Sequence, residues 1–354
     1  MCCKKCRDKA GLRLAGSRLP VYIRRDLEIG MRIFVTGGNG FIGSRVVRRL
    51  RDGGHEVRCL LRTTSDTRRI DDLEFERHIG DVRDIACMTE GMRGMDGCIH
   101  LASVSSWDQI RSDALESTIL DGTRNILEAA SAAGNVRTVY VSSATAVNAS
   151  NSPKTFSEDS AFELDGTPLR YAIAKNKAEA MVREYAERGL PVVVVNPVET
   201  YGPDDTGFIT AGNIRDILKD WPSLACTGGT AVAHVDDVAD GIVKAFERGR
   251  PGERYILGGD NLSVEQLVRL TQEVAGQKKP VVKLPNGLMK WSVQTMAKLG
   301  LPTPVIPEVL DYATLYWFMD CTKAKQELGY SPRAARETIT PVVEWLREAG
   351  HVAN

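Results

Sequence analysis

Residues Met31 to Arg62 read MRIFVTGGNGFIGSRVVRRLRDGGHEVRCLLR, and the order of residue types specifies strand, turn, helix, turn, strand. Arg32 to Thr36 is a short apolar, β-rich run of the kind that forms a buried parallel strand. Gly37, Gly38, Gly40 and Gly43 follow at once. From Phe41 to Leu50 the apolar residues Ile42, Val46, Val47 and Leu50 recur at helical spacing. Gly53–Gly54 ends that helix, and Val57 to Leu61 is the next strand. A dinucleotide requires this arrangement. One glycine makes the tight turn, one lets the backbone approach the pyrophosphate, one lets helix pack on strand, and the helix N-terminus faces the phosphates. Two glycine triplets satisfy it, Gly38-Gly40-Gly43 as GxGxxG and Gly37-Gly40-Gly43 as GxxGxxG. The turn and the first helical turn, Gly37 and Gly40 with Phe41, Ile42 and Gly43, are therefore expected to hold the dinucleotide.

The alternation continues outward from this unit. Strands are expected at Phe75–Ile79, Cys98–Ala102, Val136–Ser143 and Leu190–Asn196, the last apolar throughout and so buried on both faces. Helices are expected at Ala114–Ala133 and Arg170–Arg188. Alternating strands and helices imply an α/β fold, a Rossmann-like doubly wound parallel sheet, with ligands at the carboxyl ends of the strands. After Pro197 the alternation lapses. A helix over His234–Gly249, a strand over Arg254–Leu257 and a helix over Ser263–Ala275 with Ser263 as N-cap precede a stretch, 280–319, rich in Pro, Met, Trp and Tyr. The expected organisation is a dinucleotide-binding domain over 31–200 and a smaller α/β C-terminal substrate lobe over 201–349, with 234–258 returning to the first domain.

Composition narrows the function. Lys plus Arg number 46 and Asp plus Glu 46, a formal net charge of zero, which gives no support to nucleic-acid or anionic-membrane binding. No apolar run is long enough to span a bilayer. A small-molecule substrate is the expected partner, with homodimerisation left open. Residues 1–30 carry Lys4, Lys5, Arg7, Lys9, Arg13, Arg18, Arg24 and Arg25 against Asp8, Asp26 and Glu28. They lack the apolar core of a signal peptide, and they read as a disordered extension or an upstream-start artefact ahead of Met31. Cys3-Lys4-Lys5-Cys6 is a CxxC without a second half or a His pair, so no metal site is expected. The eight cysteines read as free thiols in a reducing cytoplasm.

Tyr171 and Lys175 are four residues apart on an expected helix and share one face. A tyrosine hydroxyl titrates near 10, too high for easy proton exchange near neutrality, and a neighbouring ammonium favours its ionised form. Ser142-Ser143, at the end of the preceding strand, brings a hydroxyl able to hold a substrate oxygen beside the phenol. At the end of the second strand, where NAD readers place an acidic residue for the ribose hydroxyls, this chain has Arg62. A guanidinium there suits a 2′-phosphate, with Thr63, Thr64 and Ser65 as further donors. NADP(H) is thus favoured, with NAD(H) as the alternative.

TGGNGFIG, GDVRD, HLA at His100–Ala102, SSATAVN at Ser142–Asn148, YAIAK and NPVETYGP at Asn196–Pro203 together resemble the extended short-chain dehydrogenase/reductase superfamily. More narrowly, the chain is similar to dihydroflavonol 4-reductase-like enzymes, 3β-hydroxysteroid dehydrogenases and hopanoid-associated sugar epimerases. HVDDVADGIVKAFERGRPGERYILGGDNLS and KAKQELGYSPR extend the likeness to about residue 349. The resemblance implies a catalytic triad of Ser143, Tyr171 and Lys175, with Thr145 as the alternative hydroxyl. It implies dinucleotide contacts from Asp81 and Val82 (the adenine pair), from His100, Leu101, Ala102 and Ser103, and from Pro197, Tyr171 and Lys175. Substrate contacts are expected from Thr145, Asn148, Glu199 and Thr200, whereas Asp236 and Asp237 are expected to be structural. The leading function is an NAD(P)(H)-dependent oxidoreductase interconverting a ketone and a secondary alcohol. The alternatives are an NAD-dependent nucleotide-sugar epimerase/dehydratase and, from another class, a non-catalytic dinucleotide-binding sensor. Ala144 and Ile119 stand where the epimerases carry Ser/Thr and Asn, and both departures favour the reductase.

Overall fold

The computed structural model describes residues 30–353 apart from Ser105, Pro304 and Val305. The expectations for residues 1–29, including the Cys3–Cys6 pair, lie outside the described residues. The first strand is Arg32–Thr36, with all but Arg32 buried. The helix Phe41–Asp52 follows, burying Gly43, Ser44, Val46, Val47 and Leu50 on one stripe. Arg49 and Arg51 in its last turn complement the negative end of the helix dipole. The chain then turns at Gly53 and Gly54, the latter at φ +80°, and enters Glu56–Leu61.

Seven strands form one sheet in the order Arg254–Leu257, Val192–Pro197, Arg137–Val141, Gly97–His100, Arg32–Thr36, Glu56–Leu61, Glu76–Ile79, and every pairing in it is parallel. This is the doubly wound sheet that the alternation implies. Apolar layers cover both faces. Val46, Val47 and Leu50 meet Val238 and Ile242 on one side, and Met88, Ile126, Leu127 and Val182 form the other. Each buried side chain of Val, Leu or Ile contributes roughly 1.5–3 kcal/mol, so the middle strands, apolar on both faces, anchor the fold.

The expected long helix over 114–133 is interrupted. Ala114–Glu116 is α-helical, Ser117–Asp121 is a π-helical turn, and Gly122–Ala132 is α-helical again. At Gly122 a Cβ would come within 2.9 Å of Val82, so this helix presses on the loop after the third strand.

The second lobe is a smaller sheet in the order Asp260–Ser263, Gly229–His234, Tyr316–Met319, Thr155–Phe156, with Glu199–Tyr201 also paired to Gly229–His234. A two-stranded parallel ladder, Ser223–Ala225 with Val281–Lys283, stands beside it. A sequence division at 200 therefore does not follow the sheets. Thr155–Phe156 comes from the first segment yet joins the small sheet, Glu199–Tyr201 straddles the division and also joins it, and Arg254–Leu257, inside the 234–258 stretch assigned to the first domain, ends the large one. Strands of two or three residues carry too short a pattern to show which sheet they join. The helix Val264–Val274 does begin at Ser263, which closes a capping box with Gln266.

Candidate active site

A single cavity of about 1310 Å³ runs from the carboxyl edge of the large sheet into the small lobe. Its volume exceeds the roughly 300–1,000 Å³ of an ordinary small-molecule pocket, which leaves room for two ligands end to end. Three sectors follow one another along it.

The first sector is built by the glycine turn. Gly37 has φ +73°, and a Cβ on it would lie 2.8 Å from the Ala102 nitrogen. A Cβ on Gly43 would lie 2.0 Å from the Gly37 carbonyl oxygen. Gly38 instead packs towards Cys59 and Val47 and lies outside the cavity lining. The triplet that lines the cavity is thus Gly37, Gly40 and Gly43. Gly40 is the N-cap of the helix and supplies no side-chain cap, and the first turn holds no acidic residue. The free N–H groups of that turn and the positive helix end suit a pyrophosphate. Farther along, Arg62, Ser65, Arg69, Asp81, Val82 and Arg83 line the cavity. Arg83 is paired with Asp81 at 2.8 Å, and Arg69 donates to the Asp204 carbonyl and to Thr206 Oγ1. The Arg62 guanidinium is exposed and makes no hydrogen bond among the described residues, while its backbone N–H donates to Ser65 Oγ at 2.9 Å. A free guanidinium beside two engaged ones fits a phosphate monoester.

The second sector brings Ser143, Tyr171 and Lys175 together with Ser103 and Thr145. Ser143 caps a short 3₁₀ turn that follows the strand Arg137–Val141. Its Oγ accepts from the Thr145 N–H at 3.2 Å and from Thr145 Oγ1 at 2.9 Å. A hydroxyl has two acceptor sites and one proton, so Ser143 has its proton free to donate, whereas the Thr145 proton is already committed. Of the two hydroxyls, Ser143 is the one free to donate.

Tyr171 and Lys175 rise on the helix Arg170–Glu187. The Lys175 ammonium donates to the Val141 carbonyl at 3.2 Å and lies 5.2 Å from the Tyr140 ring centroid and 5.9 Å from that of Tyr171. Burial pulls Lys175 down to about 8, with Glu179 working against it. Burial pushes the Tyr171 hydroxyl up to about 12, and Ser143 and Ser103 beside it pull it back. Burial is the largest influence on Tyr171, and the Lys175 ammonium is directed to the Val141 carbonyl.

Glu179 escapes the sequence reading. It is 1% exposed, accepts from Asn196 Nδ2 at 2.6 Å and pairs with Arg254 at 3.1 Å. Asn196 Nδ2 also donates to the Ser143 carbonyl at 2.9 Å, so a chain of polar contacts from Arg254 braces the Ser143 turn. The spacing Tyr171, Lys175, Glu179 on one helix face is the signal that reveals it.

The third sector is apolar. Leu224, Met289, Val293, Leu310, Tyr312 and Trp317 wall it, and Glu199 enters from one side. Asn213 Nδ2 donates to Glu199 at 2.7 Å, and burial raises the Glu199 carboxyl above the ordinary carboxylate range. Thr200 also lines the cavity, but its hydroxyl donates to the Val198 carbonyl at 2.8 Å.

Of the residues singled out for the triad, the dinucleotide and the substrate, Gly38, Thr63, Thr64, His100 and Asn148 do not line the cavity. Asn148 is 1% exposed and is spent on the Ala161 carbonyl and the Ala149 N–H, so it holds a loop rather than a ligand. His100 is buried behind the floor, 2.6 Å from Thr36 Oγ1, with its imidazole pushed down to about 3 by burial. Thr36 Oγ1 in turn accepts from the Ala102 N–H, so His100 steadies the strand end that touches Gly37. Asp237 is paired with Arg333 at 2.7 Å and Asp236 with Arg49 at 3.5 Å, both away from the cavity.

Comparison with known proteins follows the same lines. A family model described as the NAD dependent epimerase/dehydratase family matches residues 33–258. A protein named putative dihydroflavonol 4-reductase from Synechocystis sp. is 31% identical over 90% of this chain and 95% of its own length. A 4-hydroxy-2-methyl-3-oxo-4-farnesyl-3,4-dihydroquinoline-1-oxide ketoreductase from Stigmatella aurantiaca is 30% identical over 90% of this chain and 97% of its own. Among solved structures, DesIV, a dTDP-glucose 4,6-dehydratase from Streptomyces venezuelae with NAD and TYD bound, superposes with a TM-score of 0.72 at 26% identity, over 90% of this chain and 97% of that one.

Proposed function

We propose, given that this chain belongs to the NAD dependent epimerase/dehydratase family, that it is an NADP(H)-dependent reductase of a bulky, largely apolar ketone. Enzymes of this extended short-chain type transfer hydrogen with a bound dinucleotide, and the relatives named for reductase activity favour oxidoreduction. The observation that carries the reading is the meeting of Ser143, Tyr171 and Lys175 between a phosphate-binding turn and an apolar chamber. The dinucleotide, when bound, supplies or accepts the hydride. The Phe41–Asp52 helix end would hold its pyrophosphate, Arg62 its 2′-phosphate, and Lys175 its nicotinamide ribose. Ser143 donates a hydrogen bond from its free hydroxyl to the substrate oxygen and keeps its proton. Tyr171, protonated at neutral pH because burial holds it near 12, donates the proton that completes the alcohol. Glu199 offers a hydrogen-bonding carboxyl to one polar group on an otherwise apolar substrate.

The likeness to a dehydratase with NAD bound keeps a nucleotide-sugar epimerase or dehydratase as the second reading. The apolar wall of Leu224, Met289, Val293, Leu310 and Trp317 favours an apolar substrate over a sugar nucleotide, although Thr210, Asn213, Asp216, Asp220 and Thr230 also line the cavity. The test is turnover of cyclic and aryl ketones with NADPH by the wild type and by Tyr171→Phe. The substitution keeps the ring and removes the proton, so a rate loss of about 10²–10⁴ is expected with NADPH affinity unchanged. Near-full turnover in the variant, or purified protein that carries stoichiometric NAD and reduces no ketone, would refute the reductase reading.

A further inference from the structure

The whole-chain charge is zero, but the charge is not evenly spread. Between Glu273 and Glu308 the chain contains Lys278, Lys279, Lys283, Lys290 and Lys298 and no acidic residue. Lys279 is bound to the Leu218 carbonyl and Lys290 to Asp311 at 3.0 Å. Lys278, Lys283 and Lys298 are exposed and make no ion pair among the described residues.

Exposed apolar side chains gather in the same place. Large apolar residues left exposed among the described residues are Ile79, Ile85, Trp221, Leu224, Val282, Leu288, Trp291, Leu299 and Leu301. All except the two isoleucines belong to this lobe, and Trp221, Trp291 and Leu299 are each at least 64% exposed. They form one face. Leu224 and Val282 are register partners in the parallel ladder, so their side chains leave it on the same side. The chain continues from that ladder into the helix Asn286–Lys298, joined to it by the Leu284 N–H to the Ala225 carbonyl and by Asn286 to Thr227. On that helix Leu288 and Trp291 share a face at i, i+3. The adjoining face, Met289, Ser292 and Val293, lines the cavity. Leu224 belongs to both, half exposed and lining the cavity, so the apolar surface is continuous with the substrate chamber.

We propose that this face, the Ser223–Ala225 and Val281–Lys283 ladder with the helix Asn286–Lys298, docks the protein on an anionic lipid surface. Tryptophan and leucine flanked by lysines is the composition that seats a helix in the headgroup layer. Unpaired lysines add attraction to anionic headgroups, about 1 kcal/mol each. A second copy of this chain fits the face less well, because a two-fold contact would set the free lysines against one another. Residues 1–29, with more basic than acidic side chains, fit it less well for the same reason. No helix among the described residues is long and apolar enough to cross a membrane, so the contact is peripheral. Docking places the Leu224 rim of the cavity against the lipid, which gives an apolar ligand a path that avoids water.

Flotation of the full chain with vesicles tests this, using phosphatidylcholine alone and phosphatidylcholine mixed with phosphatidylglycerol. Binding is expected to the mixed vesicles and to weaken with added salt. Lys278→Gln, Lys283→Gln and Lys298→Gln combined should lower vesicle affinity about a hundredfold, and Leu288→Ser with Trp291→Ser about tenfold or more. NADPH affinity and the thermal midpoint, unchanged in both variants, show that they fold. No binding to mixed vesicles, or equal binding by wild type and variants, overturns the proposal. So does light scattering that shows a wild-type dimer converted to monomer by the Leu288 and Trp291 changes. The outcome does not depend on the ketone reduction, which is measured separately.

Discussion

Lys175 is a buried cation held near the edge of its charged range. Its value of about 8 means that it is protonated below that pH and loses its charge above. A step that needs the ammonium is therefore intact at pH 6–7 and fails as the pH rises past about 8. For carbonyl reduction, kcat/KM, which reports the free enzyme, should stay level to neutrality and then decline. Glu179 opposes the burial effect on Lys175, so Glu179→Gln should move the decline to lower pH. An identical profile in the variant would show that another group limits the rate. Because Glu179 also pairs with Arg254, and breaking a buried pair costs about 3–5 kcal/mol, its thermal midpoint should fall as well. Arg62 is expected to set a different property, the choice of cofactor. Paired, charge-assisted hydrogen bonds to a 2′-phosphate contribute roughly 1.5–3 kcal/mol, so NADPH should bind roughly ten- to a hundredfold more tightly than NADH. Arg62→Asp should reverse that order by repelling the phosphate and accepting from the ribose hydroxyls. Fluorescence titration of both reduced cofactors reads it directly, and equal wild-type affinities would place cofactor choice elsewhere.

The strand–turn–helix unit is specified at every level, which is why it is legible from residues 31–62 alone. Gly43 shows how tightly. An added methyl would meet the Gly37 carbonyl, which is backbone and has nowhere to go, so Gly43→Ala should destabilise the protein by about 1–3 kcal/mol and abolish measurable NADPH binding. Gly287, in the helix Asn286–Lys298 with nothing within 4 Å of a built Cβ, is the control. Ala there should be neutral or slightly stabilising, since Gly disfavours a helix interior, and thermal melts of both variants compare the two. The same logic explains what the sequence hides. Thr155–Phe156 and Ser223–Ala225 are too short for a period to emerge, and the π turn at Ser117–Asp121 has no residue signature distinct from an ordinary helix. Asn148 reads as a ligand contact because the motif around it does. Its burial against Ala161 depends on a loop thirteen residues away in sequence.

Charge and apolar surface are properties of the whole molecule that the chain order disperses. A balanced composition concealed the lysine-rich face because the compensating acids lie on other elements. The site is likewise assembled from afar. The Ser143 turn is braced through Asn196, Glu179 and Arg254, and the cavity needs both sheets. Calorimetry should accordingly show one unfolding transition, with its midpoint raised by NADPH. Binding at a hundredfold excess over Kd adds about 2.7 kcal/mol to stability. Two separated peaks would mean that the lobes melt independently.

The order in which the chain visits its two sheets has a consequence for how the protein can be cut. It leaves the large sheet for Thr155–Phe156, returns for Val192–Pro197, departs again at Glu199–Tyr201, comes back for Arg254–Leu257 and departs once more at Asp260–Ser263. Lobes laced together by so many passes share no single linker that could serve as a hinge. Neither is one uninterrupted segment: a break after Leu257 keeps the seven strands of the large sheet but parts Thr155–Phe156, Glu199–Tyr201 and Gly229–His234 from Asp260–Ser263 and Tyr316–Met319, and a break between earlier strands divides the large sheet itself. Their strand partners lie far apart in sequence, which slows folding and means that the complete cavity forms only when the last segment has docked.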